Sequence, residues 1–459
     1  VRFSIAVLLL LVFIGAAAAY SGLPGVRESG VFNSNPPTPY FHYFKGVKPV
    51  GRLLVVHGLG GNKAMLNPIC YSLADAGIDV FSIDLPGHGS SSASFNGMVA
   101  DDVVAQILTQ LGPETNVLGH SFGGALLLDV GASRHVRKMV LFSPAPTTVD
   151  NVQADSILLF QGQLDLFAVR RFTPDLNSIL QGRVEFHDVP WTDHTGALVD
   201  EQVIRQVAEF LGGNPQDVHT RWRSLLPIVM LLSSVAFGVL LLDMVQVREP
   251  VLGVATLSSN KIVWYVAAAA LGTIVPVVIH ITQWLHLFAA DYLMGFLFVT
   301  GLVLCLTCHR VPVEWGRLSV GVAAAAYAIA IPGLLVVSKL MEMSLSGPRL
   351  LRFVMMAALA LPFFVADEML IRPIRPAWQR IFAMLLTRAL LGAILITAVL
   401  EWGHDSGFLY FMMNEVVSFW IGLWFVGAFI HRRTKDPVST AVFMSIVQGW
   451  IFAALFVTT

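Results

Sequence analysis

The chain has 459 residues, of which 55% are hydrophobic and only 13% charged, about half the charged share of a typical soluble protein, so an ordinary water-soluble globule is excluded. Residues 21–223 hold 14 Lys/Arg and 19 Asp/Glu, a net of −5, whereas residues 224–459 hold 14 and 11, a net of +3. The mildly acidic first half argues against a nucleic-acid partner, and Cys70, Cys305 and Cys308 suggest neither a disulfide framework nor a zinc-ligand set.

Residues 3–19 are an apolar run behind a single Arg2. The run reads either as a cleaved signal peptide, with Ala17-Ala18-Ala19 as an A-x-A site, or as an uncleaved signal anchor over residues 1–20. Both send residue 21 onward across the membrane. Residues 53–56 predict a buried strand, ending in His57-Gly58-Leu59-Gly60-Gly61. A helix is predicted from about Lys63 to Ala76, stopped by Gly77. A second strand, 80–83, runs into Asp84-Leu85-Pro86-Gly87-His88-Gly89-Ser90. A helix over 97–111 would place Val99, Val103, Ile107 and Leu111 on one face. Residues 115–118 then read as a strand and 125–130 as an apolar helix. Between them lies Gly119-His120-Ser121-Phe122-Gly123-Gly124, so the serine occupies a strand-to-helix turn where a G-x-S-x-G nucleophile elbow belongs. Strands at 139–142, 157–160 and 184–186 follow. A closing helix, with Val203, Ile204, Val207, Phe210 and Leu211 on its buried face, stops at Gly212-Gly213. This alternation predicts a mostly parallel sheet covered on both sides.

Five motifs, Val55-Val56-His57-Gly58, Asp84-Leu85-Pro86-Gly87-His88-Gly89, Gly119-His120-Ser121-Phe122-Gly123-Gly124, Gly162-Gln163-Leu164-Asp165 and Asp193-His194, stand in the order and at the spacings of the α/β-hydrolase fold superfamily. The resemblance covers about residues 40–212. It implies an α/β fold without an inserted cap, because only about a dozen residues, 144–155, separate two strands where many relatives insert one. A serine hydroxyl attacks only when a base takes its proton, and the superfamily order is nucleophile, acid, histidine. Ser121 is then the nucleophile, His194 the base and Asp165 the acid that orients it, with Asp193 and Asp155 as substitutes for Asp165. The backbone N–H groups of Leu59 and Phe122 would form the oxyanion hole. His57, Gly58, Asp84, His88, Gly119 and Gly123 are expected to be structural. A serine at this position excludes the haloalkane dehalogenase and epoxide hydrolase branches.

From Leu225 the chain becomes a series of apolar stretches near the roughly 20-residue spanning length. They fall at about 225–244, 262–281, 284–306, 318–338, 350–370, 381–400, 408–430 and 438–457, making nine spans with the first segment. The expected domains are the segment 1–20, a hydrolase domain 21–213, a linker 214–223 and a membrane domain 224–459. The distribution of Lys and Arg among the loops places the hydrolase domain outside by the positive-inside rule. His280, His286, Asp291, Glu401, His404, Asp405 and Glu415 would lie on that side, as a polar vestibule, a metal site, a proton path or ordinary interfacial residues. Asp367 and Glu368 are expected to pair with Arg372 or Arg375, and Arg388 to face the bundle interior.

The leading expectation is a membrane-bound, extracytoplasmic serine hydrolase of carboxylic esters or thioesters, acting on lipid or acyl substrates from the bilayer without a cofactor or metal. An acyltransferase with the same triad is a second reading, and a peptidase, since the same triad cleaves amides, a further one within the enzyme class. From a different class, a transporter or flippase with a regulatory hydrolase domain is the remaining reading. The residues leave the oligomeric state open.

Overall fold

The computed structural model describes the chain apart from residues 1, 23–25, 47, 148–150, 167–168, 174–175, 177–179, 181–182, 247–248, 250–252, 254, 257, 309–314, 338–341, 343–346 and 403–407. It divides into two compact units. One takes in Leu11–Leu232, Val336–Met343 and Val457–Thr459; the other takes in Val1–Leu10, Ser233–Leu335 and Ser344–Phe456.

In the first unit, an eight-stranded sheet comprises β1 (Val26–Phe32), β2 (Thr38–Phe44), β3 (Gly51–Val56), β4 (Ile78–Ile83), β5 (Thr115–His120), β6 (Val136–Phe142), β7 (Ala154–Gly162) and β8 (Val184–Val189). Their order is β1-β2-β4-β3-β5-β6-β7-β8. β2 lies antiparallel to β1 and β4, and every pair from β4 to β8 is parallel. Side chains alternate between the faces of a strand, and both faces are buried here. Leu54, Val56, Val117, Leu141 and Leu159 enter one core with α3 (Gly97–Leu111) and α4 (Phe122–Ser133). Leu53, Val55, Leu118, Val140 and Leu158 enter the other with α2 (Asn67–Asp75) and α5 (Glu201–Leu211). The continuous apolar runs of β3 and β5 to β7 follow from this double burial.

Three features differ from the sequence expectation. The hairpin β1–β2 adds an antiparallel edge that no apolar run announces. α2 begins at Asn67 rather than Lys63, because the Asn62 side chain accepts from the N–H groups of Ala64 and Met65 at 2.9 and 3.1 Å and holds a turn there. The helix after the serine starts at Phe122 itself, earlier than expected.

The sheet domain begins and ends on apolar helices, α1 (Arg2–Ser21) and α6 (Thr220–Leu242). Within this unit Ala16 of α1 packs with Met230 of α6 and with Val336. Arg223 Nη2 reaches Asp75 Oδ2 at 2.7 Å, and Thr220 bonds Ser72 at 2.9 Å. These contacts fix the start of α6 against α2.

The second unit is helical: α7 (Ser259–Ile279), α8 (Ala290–Cys305), α9 (Trp315–Ala328) continued by a π-helical segment Ile329–Val337, α10 (Gly347–Ile371), α11 (Ala377–Trp402), α12 (Phe408–Thr434) and α13 (Pro437–Leu455). Among the described residues, seven helices are long and apolar enough to cross a membrane: Phe3–Ser21, Pro215–Leu242, Ser259–Ile279, Trp315–Val337, Arg349–Ile371, Ala377–Glu401 and Pro437–Leu455. The expected span at 284–306 is instead a short turn followed by a 16-residue helix. His286 and Ala289 take left-handed angles there and break the run. The expected span at 408–430 is a 27-residue helix with some side chains outside the described residues. Gly301 lets α8 approach α10 closely, since a Cβ there would stand 2.2 Å from the Phe363 nitrogen.

Among the described residues, two fully buried ion pairs sit in this unit. Arg388 binds both oxygens of Asp367 at 2.6 and 2.7 Å, and Tyr265 donates to the same carboxylate at 2.7 Å. Arg372 pairs with Glu368, as the sequence suggests, with Nε at 2.7 Å. Asp367 thus takes its partner from α11 rather than from its own helix. Arg388 does face the interior.

Candidate active site

β5 carries the chain into Ser121, which holds φ 53° and ψ −117°. Such angles are unusual for a non-glycine residue and are kept only where neighbours enforce them. Here the Ser121 N–H donates to Phe142 O at 2.9 Å, and its carbonyl accepts from Ala125 and Ala145 at 3.1 and 3.0 Å. A Cβ on Gly119 would lie 2.6 Å from Gly123 O, and one on Gly123 would lie 2.4 Å from Val56 O. The turn therefore closes only with glycine at both positions.

Asp165 and His194 come from the turns after β7 and β8. His194 Nδ1 stands 2.7 Å from Asp165 Oδ1. The two turns are tied together, Leu164 N–H donating to Thr192 O at 2.9 Å and Gln163 N–H to Val189 O at 3.0 Å. Burial would raise the Asp165 carboxyl, but the hydrogen bond and charge of His194, with the Ser143 hydroxyl and the Leu166 N–H, hold it below the usual carboxylate range. An ionised carboxylate accepts only, so the imidazole presents Nδ1–H to it and keeps the Nε2 lone pair for a proton. The two substitute acids are engaged elsewhere. Asp193 Oδ1 accepts from the N–H groups of Thr195 and Gly196 at 3.0 and 2.8 Å, and Asp155 pairs with His135 at 2.8 Å.

The Phe122 N–H is the first amide of α4, which has no intrahelical acceptor and lies at the positive end of the helix dipole. Leu59 lies in the loop after β3, where Gly61 N–H closes a turn on Gly58 O at 2.9 Å. Gly58 brings that loop against the elbow, since a Cβ there would sit 3.1 Å from Ser121 Cβ. His57 is buried and spans two loops: Nδ1 lies 2.8 Å from Gly58 O, and Nε2 accepts from Leu85 N–H at 3.2 Å. Burial pushes its imidazole below the ordinary histidine value, consistent with a neutral tie rather than a base. His88 Nδ1 lies 2.9 Å from Pro86 O, and its ring packs against His57 and Phe95. Asp84 accepts from the Lys63 N–H at 2.8 Å, Lys63 Nζ at 2.7 Å and the Ser90 N–H at 2.8 Å.

Three contributors escaped the sequence reading. Lys63, buried, also reaches Ser90 at 2.7 Å and Glu342 at 2.6 Å. His120 donates from Nε2 to the His194 carbonyl at 3.1 Å, and burial followed by the proximity of His194 pushes its pKa down to about 3. Ser143 holds a positive φ of 45° beside the acid. Only His120, inside the pentapeptide, had a signal in the sequence.

In the helical unit, His280 and His286 are exposed and take left-handed angles at a turn. Asp291 Oδ1 accepts from the Tyr292 N–H at 2.6 Å. Glu401 and Glu415 are exposed. His404 and Asp405 lie outside the described residues. Among the described residues no three His, Cys, Asp or Glu side chains converge as a metal site requires.

Residues 51–198 match the family described as alpha/beta hydrolase fold, and this portion of the chain is an α/β-hydrolase domain. A stretch of 98 residues is 38% identical to the dihydrolipoyllysine-residue acetyltransferase component of the acetoin cleaving system from Cupriavidus necator, over 20% of this chain and 26% of that protein. The chain thus spans about a quarter of the length of that curated relative. Similar solved structures include a monoacylglycerol lipase from Paleococcus ferrophilus (16% identity, 40% of this chain and 98% of that one, TM-score 0.33). Others are a carboxylesterase from Bacillus subtilis (14%, 46% and 99%, TM-score 0.36) and a lidless serine hydrolase from Xanthomonas campestris (17%, 41% and 93%, TM-score 0.35).

Proposed function

We propose that the protein is a membrane-bound serine hydrolase that cleaves carboxylic esters or thioesters of lipid or acyl substrates on the extracytoplasmic side. The observation that carries this reading is the 2.7 Å contact of His194 Nδ1 with Asp165 Oδ1 in a domain whose elbow presents Ser121. In the proposed cycle, His194 Nε2 takes the Ser121 proton as Oγ attacks the substrate carbonyl. The N–H groups of Phe122 and Leu59 hold the resulting oxyanion. Collapse of the intermediate expels the alcohol or thiol, which receives its proton from His194, and leaves the acyl group on Ser121. Water, deprotonated by the same base, then releases the acid and restores the serine. Asp165 stays ionised throughout and stabilises the imidazolium.

Two features favour an acyl substrate. Only residues 143–153 join β6 to β7. Leu164 and Trp191, 62% and 84% exposed, flank the turns that bear the acid and the base. The apolar helices and the basic loops favour a bilayer setting with the domain outside. The match to a protein named as an acetyltransferase favours a second outcome, transfer of the acyl group to a bound alcohol instead of water.

Membranes containing the protein, treated with a serine-reactive phosphonate, should label the wild type and leave Ser121→Ala unlabelled. A folded wild type that resists labelling overturns the enzyme reading. Long-chain esters in liposomes should be cleaved in preference to short soluble esters, and the opposite preference removes the lipid assignment. Product analysis with a lipid alcohol present separates hydrolysis from transfer.

A further inference from the structure

The helical unit contains an apolar cavity of about 490 Å³ between α6, α9, α12 and α13, within the roughly 300–1,000 Å³ range of small-molecule sites. Small side chains open it: Gly238 on α6 and Ala323, Ala324 and Ala328 on α9 line its walls. Tyr327 crosses beside Gly238 and donates to Ser234 O at 2.7 Å, which fixes the floor. Along α6 the lining runs from Val235 to Leu242, roughly 10 Å at 1.5 Å per residue. That is about two thirds of the roughly 15 Å depth of one leaflet, half of the roughly 30 Å hydrocarbon thickness.

One end of this groove is charged. Arg317 stands two residues before the lining Ser319, and Arg433 three residues after the lining Ile430. Arg317 donates to Glu249 O and Thr434 O at 2.8 and 3.1 Å. Arg433 pairs with Asp243, while its buried Nε has no acceptor among the described residues. Arg432 and Lys435 add two further cations, Arg432 exposed. Against these four stand Asp243, the exposed Glu249, and Asp436, whose carboxylate caps α13, leaving an excess of one positive charge among the described residues here. An apolar slot with arginines within one helical turn of its lining residues matches a molecule with an acyl chain and an anionic head.

We propose that this groove binds one anionic phospholipid, its chain between α6 and α9 and its phosphate at Arg433 and Arg317. The site is separate from the hydrolase chemistry and does not depend on it. The full chain, purified in neutral detergent and stripped of lipid, is titrated with phosphatidylglycerol or phosphatidylcholine of identical chains and followed by thermal unfolding and native mass spectrometry. Phosphatidylglycerol should bind roughly tenfold more tightly, a difference of about 1.4 kcal/mol. It should raise the unfolding midpoint where phosphatidylcholine does not. Ala324→Phe, which fills the slot, should abolish the bound lipid, and Arg433→Gln should erase the preference for the anionic head. Equal binding of the two lipids by the wild type overturns the proposal, as does an undiminished preference in folded Arg433→Gln. If Ala324→Phe fails to fold, the arginine variant and the wild-type comparison decide alone.

Discussion

At Asp165, charge and burial oppose each other, and the contact with His194 settles the balance toward the carboxylate. Its role in the proposed cycle is to fix which imidazole nitrogen carries the proton. Asp165→Asn should leave the fold intact and lower kcat for ester hydrolysis by about 10⁴-fold, because the amide stabilises the wrong tautomer. The check is steady-state kinetics beside an unchanged circular dichroism spectrum. His120 makes a different prediction. Folded, it stays neutral down to about pH 3, whereas in the unfolded chain it protonates near 6.5. Between these values the unfolded state binds the extra proton, so stability rises with pH across that window and is lost as pH falls from about 6.5. At pH 5 the loss is about 2 kcal/mol. His120→Gln should flatten the acid limb of denaturant-measured stability by that amount while giving up the bond to His194.

Sequence patterns carried the elements unequally. β3, β5, β6 and β7 were legible because double burial requires uninterrupted apolar runs, and the elbow because only glycine permits its close approaches. The hairpin β1–β2 was not, since its pairing is fixed by partners such as Tyr40 opposite Gly30 and Ile83 rather than by hydrophobic periodicity. The candidate site residues with motifs, Ser121, Asp165 and His194, could be proposed from their order, and the structure brings His194 against Asp165. Lys63 and Ser143 could not, because a lysine or serine in a loop acquires its role only when a distant carboxylate folds against it. The interior position of Arg388 was legible in the sequence, but its pairing with Asp367 on α10, 21 residues away, was not. Removing one member of such a buried pair strands the other charge, at a cost of about 3–5 kcal/mol, whereas replacing both with apolar groups is often neutral. Arg388→Met should therefore lower the thermal stability of the detergent-solubilised protein more than the double change Arg388→Met with Asp367→Leu.

At the scale of the whole molecule, the hydrolase domain is a soluble-type fold inserted between two apolar helices that pack on one another. Both of its chain ends are thereby held to the same small patch. In the proposed bilayer setting, this would turn encounter with a lipid substrate into a search in two dimensions, where the relevant dose is the mole fraction in the surface and the bulk molarity is irrelevant. In proteoliposomes of fixed protein-to-lipid ratio, diluting the substrate with inert phospholipid should lower the rate. Adding buffer at constant composition should leave turnover per protein unchanged. A domain held by one flexible tail would reach neighbouring vesicles, whereas this one should hydrolyse substrate in separate, protein-free vesicles slowly or not at all.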